Sequence, residues 1–102
     1  MSKRTHAHFT IPAQHPALAG HFPGNPIVPG VVILDQIFTL WTQHSKHVIQ
    51  QLDQAKFLHP LTPNIGCQID FDSGPHKTHF ILQDQQQTII CKGTFSHAPI
   101  RR

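Results

Sequence analysis

The pattern of apolar and polar positions separates one helical segment from several strand segments. Four apolar residues recur at helical spacing within 31–47, a stretch without Gly or Pro: Val31, Leu34, Phe38 and Trp41. Four more cover much of the remaining circumference: Val32, Ile33, Ile37 and Leu40. Because a helix that is apolar on nearly all sides is typically buried, we expect a buried helix over these residues.

The segments before and after this helix predict β-strands. A first short strand is expected over 6–11, and the later strands over 48–58, 67–71, 78–82 and 88–96. The last strand alternates, with Ile89, Cys91, Gly93 and Phe95 on one face. Turn residues occupy 73–75 and 84–87, and 60–66 is a longer connection. This order predicts an α+β domain of the hot-dog type, an antiparallel sheet wrapped around one central helix.

Residues 12–30 interrupt the pattern with five prolines and three glycines. Such density excludes a helix or a central strand and predicts a stiff loop that ends where the helix begins. A loop of this length in a small domain is usually functional. We therefore look for candidate chemistry in the loop and in the first turns of the helix.

Composition narrows the class of protein. The length of 102 residues predicts a single domain over 1–102, and its modest apolar content of 38% favours association with a second subunit. Eight Lys and Arg against five Asp and Glu give a net charge of +3, too weak for nucleic-acid binding. Two isolated cysteines, no signal peptide and no membrane-length apolar run lead us to expect a cytoplasmic protein without a membrane span.

Three residues in the loop and the first turns of the helix could together remove a proton from carbon, stabilise an enolate and expel a hydroxyl. Asp35 lies among apolar helix positions, and burial would raise its pKa and keep it protonated as a proton donor. His21, in the loop, has an imidazole that can accept a proton near neutral pH. Gly30 lies at the expected helix start, where an unpaired backbone N–H could stabilise an oxyanion. Taken singly, each has a plainer explanation: a solvent-facing Asp, a structural His or a turn Gly.

The loop carries a long motif, His21-Phe22-Pro23-Gly24-x-Pro26-x-x-Pro29-Gly30-Val31, with an acid four residues later. It resembles the signature of the FabZ/FabA-type (3R)-hydroxyacyl-acyl-carrier-protein dehydratases. The segment Lys56-Phe57-Leu58-x-Pro60-Leu61-x-Pro63 is similar to the segment that follows the helix in that family. The resemblance covers about 15–66, and beyond that only the strand pattern agrees.

The resemblance implies a hot-dog dimer with two sites at the subunit interface, each taking its histidine from one subunit and its acid from the other. His21 would remove the C2 proton of a 3-hydroxyacyl thioester, Asp35 would help the hydroxyl leave as water, and the Gly30 N–H would bind the thioester carbonyl. Four apolar residues would border the acyl chain: Phe22, Val28, Val31 and Val32. The family implies an acidic acyl-carrier protein as partner, a homodimer or a heterodimer with a related hot-dog subunit, and no metal or organic cofactor.

The chain departs from the family pattern in three ways. It is shorter than typical FabZ proteins, which makes it similar to the compact dehydratases of aryl polyene pathways. Asp35 stands where FabZ-like members usually have Glu, and Thr39 where they often have Gln. The acyl chain length, the pathway and any isomerase activity are left open by the sequence.

Three alternatives are weighed against the dehydratase. A hot-dog acyl thioesterase would use an acid to activate water and does not need the His-Phe-Pro-Gly loop. A non-catalytic acyl-binding or scaffold subunit would keep the fold and lose turnover. Paired histidines could bind a metal, namely His6 and His8, His44 and His47, and His76 and His79. Because the chain has ten histidines, such spacings arise easily, and we expect these to be exposed and not to ligate a metal.

Overall fold

The computed structural model of the chain describes residues 3–18 and 27–100. Its elements are β1 (Lys3–Thr10), a 3₁₀ helix (Pro16–Leu18), α1 (Gly30–His44), β2 (His47–Phe57), β3 (Gly66–Ser73), β4 (Lys77–Asp84) and β5 (Ile89–Pro99). The strands form one antiparallel sheet in the order β1-β3-β4-β5-β2, so that β1 and β2 are its edges. The inner face of the sheet packs against α1, which is the predicted α+β hot-dog arrangement.

The predicted strands are all present, but most extend beyond their apolar segments. β1 begins at Lys3 because it pairs with β3 along its whole length, from Lys3 opposite Ser73 to Thr10 opposite Gly66. β3 and β4 likewise continue through polar residues such as Asp72 and Gln83. Backbone pairing does not require an apolar side chain, and the strand ends therefore left no signal in the apolar pattern.

The helix is shorter than the periodicity predicts. It begins at Gly30 and ends at His44, where Ser45 turns to an extended conformation and its backbone N–H donates to the Trp41 carbonyl at 3.1 Å. No Gly or Pro marks this end, and the apolar spacing runs past it. The 3₁₀ turn within the predicted loop is a second correction: Pro16 can begin such a turn because its missing N–H is not needed there.

The prediction that α1 is buried on nearly all sides is wrong for the single protomer. Ile33, Ile37 and Trp41 are buried against the sheet. On the opposite side Val31 is 73% exposed, and Asp35 and Thr39 are exposed as well. These three residues, spaced four apart, form what we call the exposed α1 stripe. The sheet covers one face of the helix and leaves this stripe exposed, without a contact from the sheet.

The core lies between α1 and the inner faces of β3, β4 and β5. Phe95 is fully buried and makes edge contacts with Phe38 and Trp41, with ring centroids 5.6 and 4.9 Å apart. The alternation predicted for β5 is broken by one irregularity, because the register with β4 shifts after Leu82 and both Ile90 and Cys91 become buried. A bulge of this kind reverses which face the following residues occupy.

Two free thiols are part of this core. Cys67 on β3 and Cys91 on β5 are both buried. Burial raises the pKa of each thiol to about 11, and the charge of Asp84 adds to the shift at Cys67. Both side chains are therefore protonated at neutral pH and behave as small apolar groups. No helix in the described ranges combines the length and the apolar character that crossing a membrane requires.

Candidate active site

The start of α1 presents unpaired backbone donors. Pro29 precedes the helix with φ −60° and ψ 144°, and no side chain caps it. Its carbonyl accepts hydrogen bonds from the Val32 N–H at 3.0 Å and the Ile33 N–H at 3.3 Å. The N–H groups of Gly30 and Val31 have no acceptor among the residues that the structure describes. Such donors carry the partial positive charge of a helix start and can hold a carbonyl oxygen as it becomes anionic.

The ring of Phe57 lies against this helix start. A Cβ built on Gly30 would come within 2.9 Å of the ring, so only glycine allows the present contact without a shift of the ring. Phe57 is the last residue of β2, and its side chain is 48% exposed. The sequence suggested Phe57 only as part of a family motif. Its contact with Gly30 joins residues 27 positions apart, a relation that no periodic pattern reveals.

Asp35 lies on α1 a little more than one turn after Gly30. Its side chain is exposed in the protomer, and within the described ranges it has no hydrogen bond or ion pair. The expected burial of this carboxyl is therefore wrong for the single chain. Asp35 belongs to the exposed α1 stripe between Val31 and Thr39, and any shelter for it must come from a second surface.

The other predicted site residues have different surroundings. His21 and Phe22 lie outside the residues that the structure describes. Val28 is packed into the core, and its N–H donates to the Leu61 carbonyl at 2.8 Å. Val32 is half-buried, whereas Val31 is open to solvent. The roles of these residues in binding an acyl chain stay predictions.

In the part of the chain that is described, no group of three or more His, Cys, Asp or Glu side chains converges, and several of the paired histidines make other contacts. His8 is within 3.2 Å of the Gln68 side chain, and His79 is within 3.0 Å of the Thr94 hydroxyl. His47 contacts His97 instead of His44, with the two Nδ1 atoms 2.8 Å apart. Because 50 positions separate these two residues, no local sequence pattern predicts their contact.

His97 is the buried member of that pair. Its side chain is 3% exposed, its ring lies 4.7 Å from the Trp41 ring, and its Nε2 has no hydrogen-bond partner within the described residues. Burial lowers the pKa of His97, and the neighbouring His47 lowers it further. The imidazole is therefore neutral near pH 7. It lies near the C-terminal end of α1, away from Gly30 and Asp35.

Comparison with known proteins places the chain in a family. A family model described as ApeI-like, ApeI dehydratase, matches residues 1–94. The chain belongs to the ApeI-like family. Among curated relatives, a 3-hydroxyacyl-[acyl-carrier-protein] dehydratase FabZ from Campylobacter curvus is 26% identical over 98 residues, which cover 81% of this chain and 66% of that one. Across four such FabZ relatives the ApeI-like chain spans between 42 and 66% of the relative's own length.

Solved structures support the hot-dog fold. An uncharacterized protein from Erwinia carotovora subsp. atroseptica superposes with a TM-score of 0.83 at 19% identity, covering 97% of this chain and 86% of that one. The dehydratase heterocomplex ApeI:P from Xenorhabdus doucetiae superposes with a TM-score of 0.78 at 18% identity, covering 96% of this chain and 94% of that one. At these identities the likeness establishes the architecture of this ApeI-like chain.

Proposed function

We propose that the chain is a hydro-lyase that removes water from a (3R)-3-hydroxyacyl thioester on an acyl-carrier protein and leaves the trans-2-enoyl thioester. The observation that carries this proposal is the uncapped start of α1, where the Gly30 N–H has no acceptor among the described residues and Asp35 follows slightly more than one turn later. Membership of a dehydratase family and the names of the FabZ relatives support it.

Each residue would carry out one part of the reaction. The Gly30 N–H would bind the thioester oxygen, and the neutral imidazole of His21 would remove the C2 proton as negative charge develops on that oxygen. Electrons from the C2–H bond would form the C2–C3 double bond while the C3–O bond breaks. A protonated Asp35 would give its proton to the departing hydroxyl, which leaves as water. The proton gained by His21 would return to Asp35 or to solvent before the next turnover.

A second subunit would complete this site. Asp35 is exposed in the protomer, whereas proton donation to the leaving hydroxyl calls for a site that excludes water. The exposed α1 stripe and the free edge of β2 offer a surface for a second hot-dog subunit, either another copy of this chain or a related one. Val31, Val48 and Leu52 on these elements are apolar and exposed, which favours coverage by a partner.

The experiment that tests the proposal is incubation with 3-hydroxyacyl-carrier-protein thioesters of graded chain length, followed by mass detection. We expect loss of one water from the acyl group with the thioester intact. We expect His21→Ala to lower turnover by about 10² to 10⁴-fold, the usual contribution of a positioned general base. Release of the carrier thiol without an enoyl product would overturn the proposal in favour of a thioesterase, and turnover retained by the variant would contradict the assigned base.

A further inference from the structure

A cavity of about 840 Å³ lies at the C-terminal end of α1, which we call the helix-end cavity. Its wall includes the last turns of the helix, the inner faces of β1 and β3, and the start of β2. Its lining includes Lys3, Leu40, Trp41, His44, Lys46 and Phe71. Because α1 rises about 1.5 Å per residue, the cavity lies on the order of 20 Å from Gly30, and the proposed dehydration does not use it.

The charges around the helix-end cavity have one sign. Lys3 and Lys46 are exposed on its wall, and His44 occupies the last helical turn. Of the described residues that line the cavity, none is Asp or Glu. The two ion pairs in the described part of the chain, Arg4 with Asp72 and Lys77 with Asp53, involve neither lysine of the cavity. An anion entering the cavity would be attracted by the two full positive charges of these lysines. The C-terminal end of the helix would repel it, but with a partial charge of only about half an elementary charge.

The inner wall is apolar. Trp41 and Phe71 are 6% and 3% exposed, and Leu40 is half-buried beside them. The Trp41 indole N–H donates to the Ser73 hydroxyl at 3.3 Å, so the indole is fixed in position and offers the cavity an apolar edge. Ligand pockets are typically lined by apolar and aromatic side chains, with a few polar or charged groups that fix the orientation of the ligand. The helix-end cavity has both kinds of side chain.

We propose that the helix-end cavity binds a small monocarboxylate with an apolar body. The carboxylate lies between Lys3 and Lys46 at the rim, and the body lies against Trp41, Leu40 and Phe71. This site is separate from the proposed dehydration site and does not depend on that function.

The test uses the full chain, in whatever assembly it forms, and the indole N–H signal of Trp41 in a ¹H–¹⁵N spectrum. The signal is unambiguous because the chain has one tryptophan. The probes are hexanoate and benzoate, each compared with its uncharged amide. We expect saturable shifts of the indole signal with both acids, weaker shifts with the amides, and loss of affinity at high salt because exposed charges are screened.

Variants separate this site from others. Lys3→Gln and Lys46→Gln should each weaken hexanoate binding by about five-fold, the effect of one exposed charge contact. Lys92→Gln, an exposed lysine on β5, is the matched control and should leave the affinity unchanged. Asp35→Asn should also leave it unchanged, even if dehydration is lost. Equal shifts with acid and amide, or no loss of affinity in either lysine variant of the cavity, would overturn the proposal.

Discussion

At the scale of single residues, Asp35 shows that apolar neighbours in the sequence do not by themselves predict a buried carboxyl. Its place among apolar neighbours suggested burial, yet in the protomer it belongs to the exposed α1 stripe. Excluding water from an active site strengthens the electrostatic interactions of its acid with the reacting groups and prevents proton leakage. The proposed chemistry therefore requires that an assembled site exclude water from this residue.

Asp35→Asn should remove the proton donor while leaving the protomer folded, because the side chain makes no described contact. We expect turnover on a 3-hydroxyacyl-carrier-protein to fall by about 10² to 10⁴-fold with an unchanged thermal midpoint. Asp35→Glu restores the acid with one more methylene and should keep measurable turnover. Gln43→Asn, an exposed change later in the same helix, is the control. Wild-type turnover in the Asn variant would exclude Asp35 as the acid.

His97 predicts a pH dependence of stability. Its pKa in the folded protein lies below the ordinary value of 6.5, chiefly because the ring is buried and also because His47 is adjacent. Below about pH 6.5 the unfolded chain therefore binds a proton that the folded chain binds less readily, and the free energy of unfolding decreases as the pH falls. Urea unfolding between pH 8 and 5 measures this loss.

His97→Asn keeps a polar group near the position of Nδ1 and removes the titration. The variant should be less stable at pH 8, because a buried ring is replaced by a smaller side chain, but its stability should fall less between pH 7 and 5 than that of the wild type. His59→Asn, at an exposed histidine, should keep the wild-type dependence. Equal slopes in the wild type and His97→Asn would show that His97 does not cause the pH dependence.

At the scale of elements, the contact between β2 and β5 depends on one glycine. Gly93 lies opposite Ala55, next to a register shift in β2. A Cβ at position 93 would overlap the Gln54 carbonyl oxygen and come within 2.7 Å of the Phe80 ring. Since the first of these atoms belongs to the backbone and the second to the core, neither can move without displacing a strand.

Gly93→Ala should therefore destabilise the fold by about 1 to 3 kcal/mol or more, the usual cost of overpacking a tight site. Chemical denaturation of the purified variant measures the loss. Gly74→Ala is the matched control, because its Cβ would lie 3.5 Å from the nearest atom, an ordinary contact. If the two variants were equally stable, the close approach of β2 to β5 would not be the constraint described here.

Periodicity is a better guide to which elements form than to where each element ends. The apolar spacing of α1 and the alternation of the strands were sufficient to predict the hot-dog fold. The helix end at His44 depends on the backbone conformation of Ser45, and the β5 irregularity depends on its pairing with β4; neither has a side-chain signature. In the site, Gly30 and Asp35 could be named from the sequence, whereas the contact of Phe57 with Gly30 joins distant positions and could not. The same holds outside the site for the His47–His97 pair.

At the scale of the whole molecule, the proposal of a shared site makes a quantitative prediction. If each site takes His21 from one subunit and Asp35 from the other, a dimer of His21→Ala with Asp35→Asn contains one intact site and one doubly substituted site. Co-expression of the two variants should then restore about a quarter of wild-type turnover, since half of randomly formed dimers are mixed and each has one of two sites. Each variant expressed alone is the control.

The same co-expression experiment also tests whether the partner is a second copy of this chain. Native mass spectrometry of the co-expressed sample should give the fraction of mixed dimers, and turnover should rise with that fraction. Mixed dimers without turnover would contradict the shared site. A chain that stays monomeric would require a different hot-dog subunit as the source of the missing residue.

The two buried thiols make it possible to measure how often the folded protein opens. Since only a thiolate is alkylated and water must first reach it, Cys67 and Cys91 should resist iodoacetamide for as long as β3 and β5 remain packed. Their modification rate, followed by mass, measures how often the sheet separates from the helix. A subunit that closes over α1 should slow this rate, so the modification rate of the two thiols would also report on association with a partner.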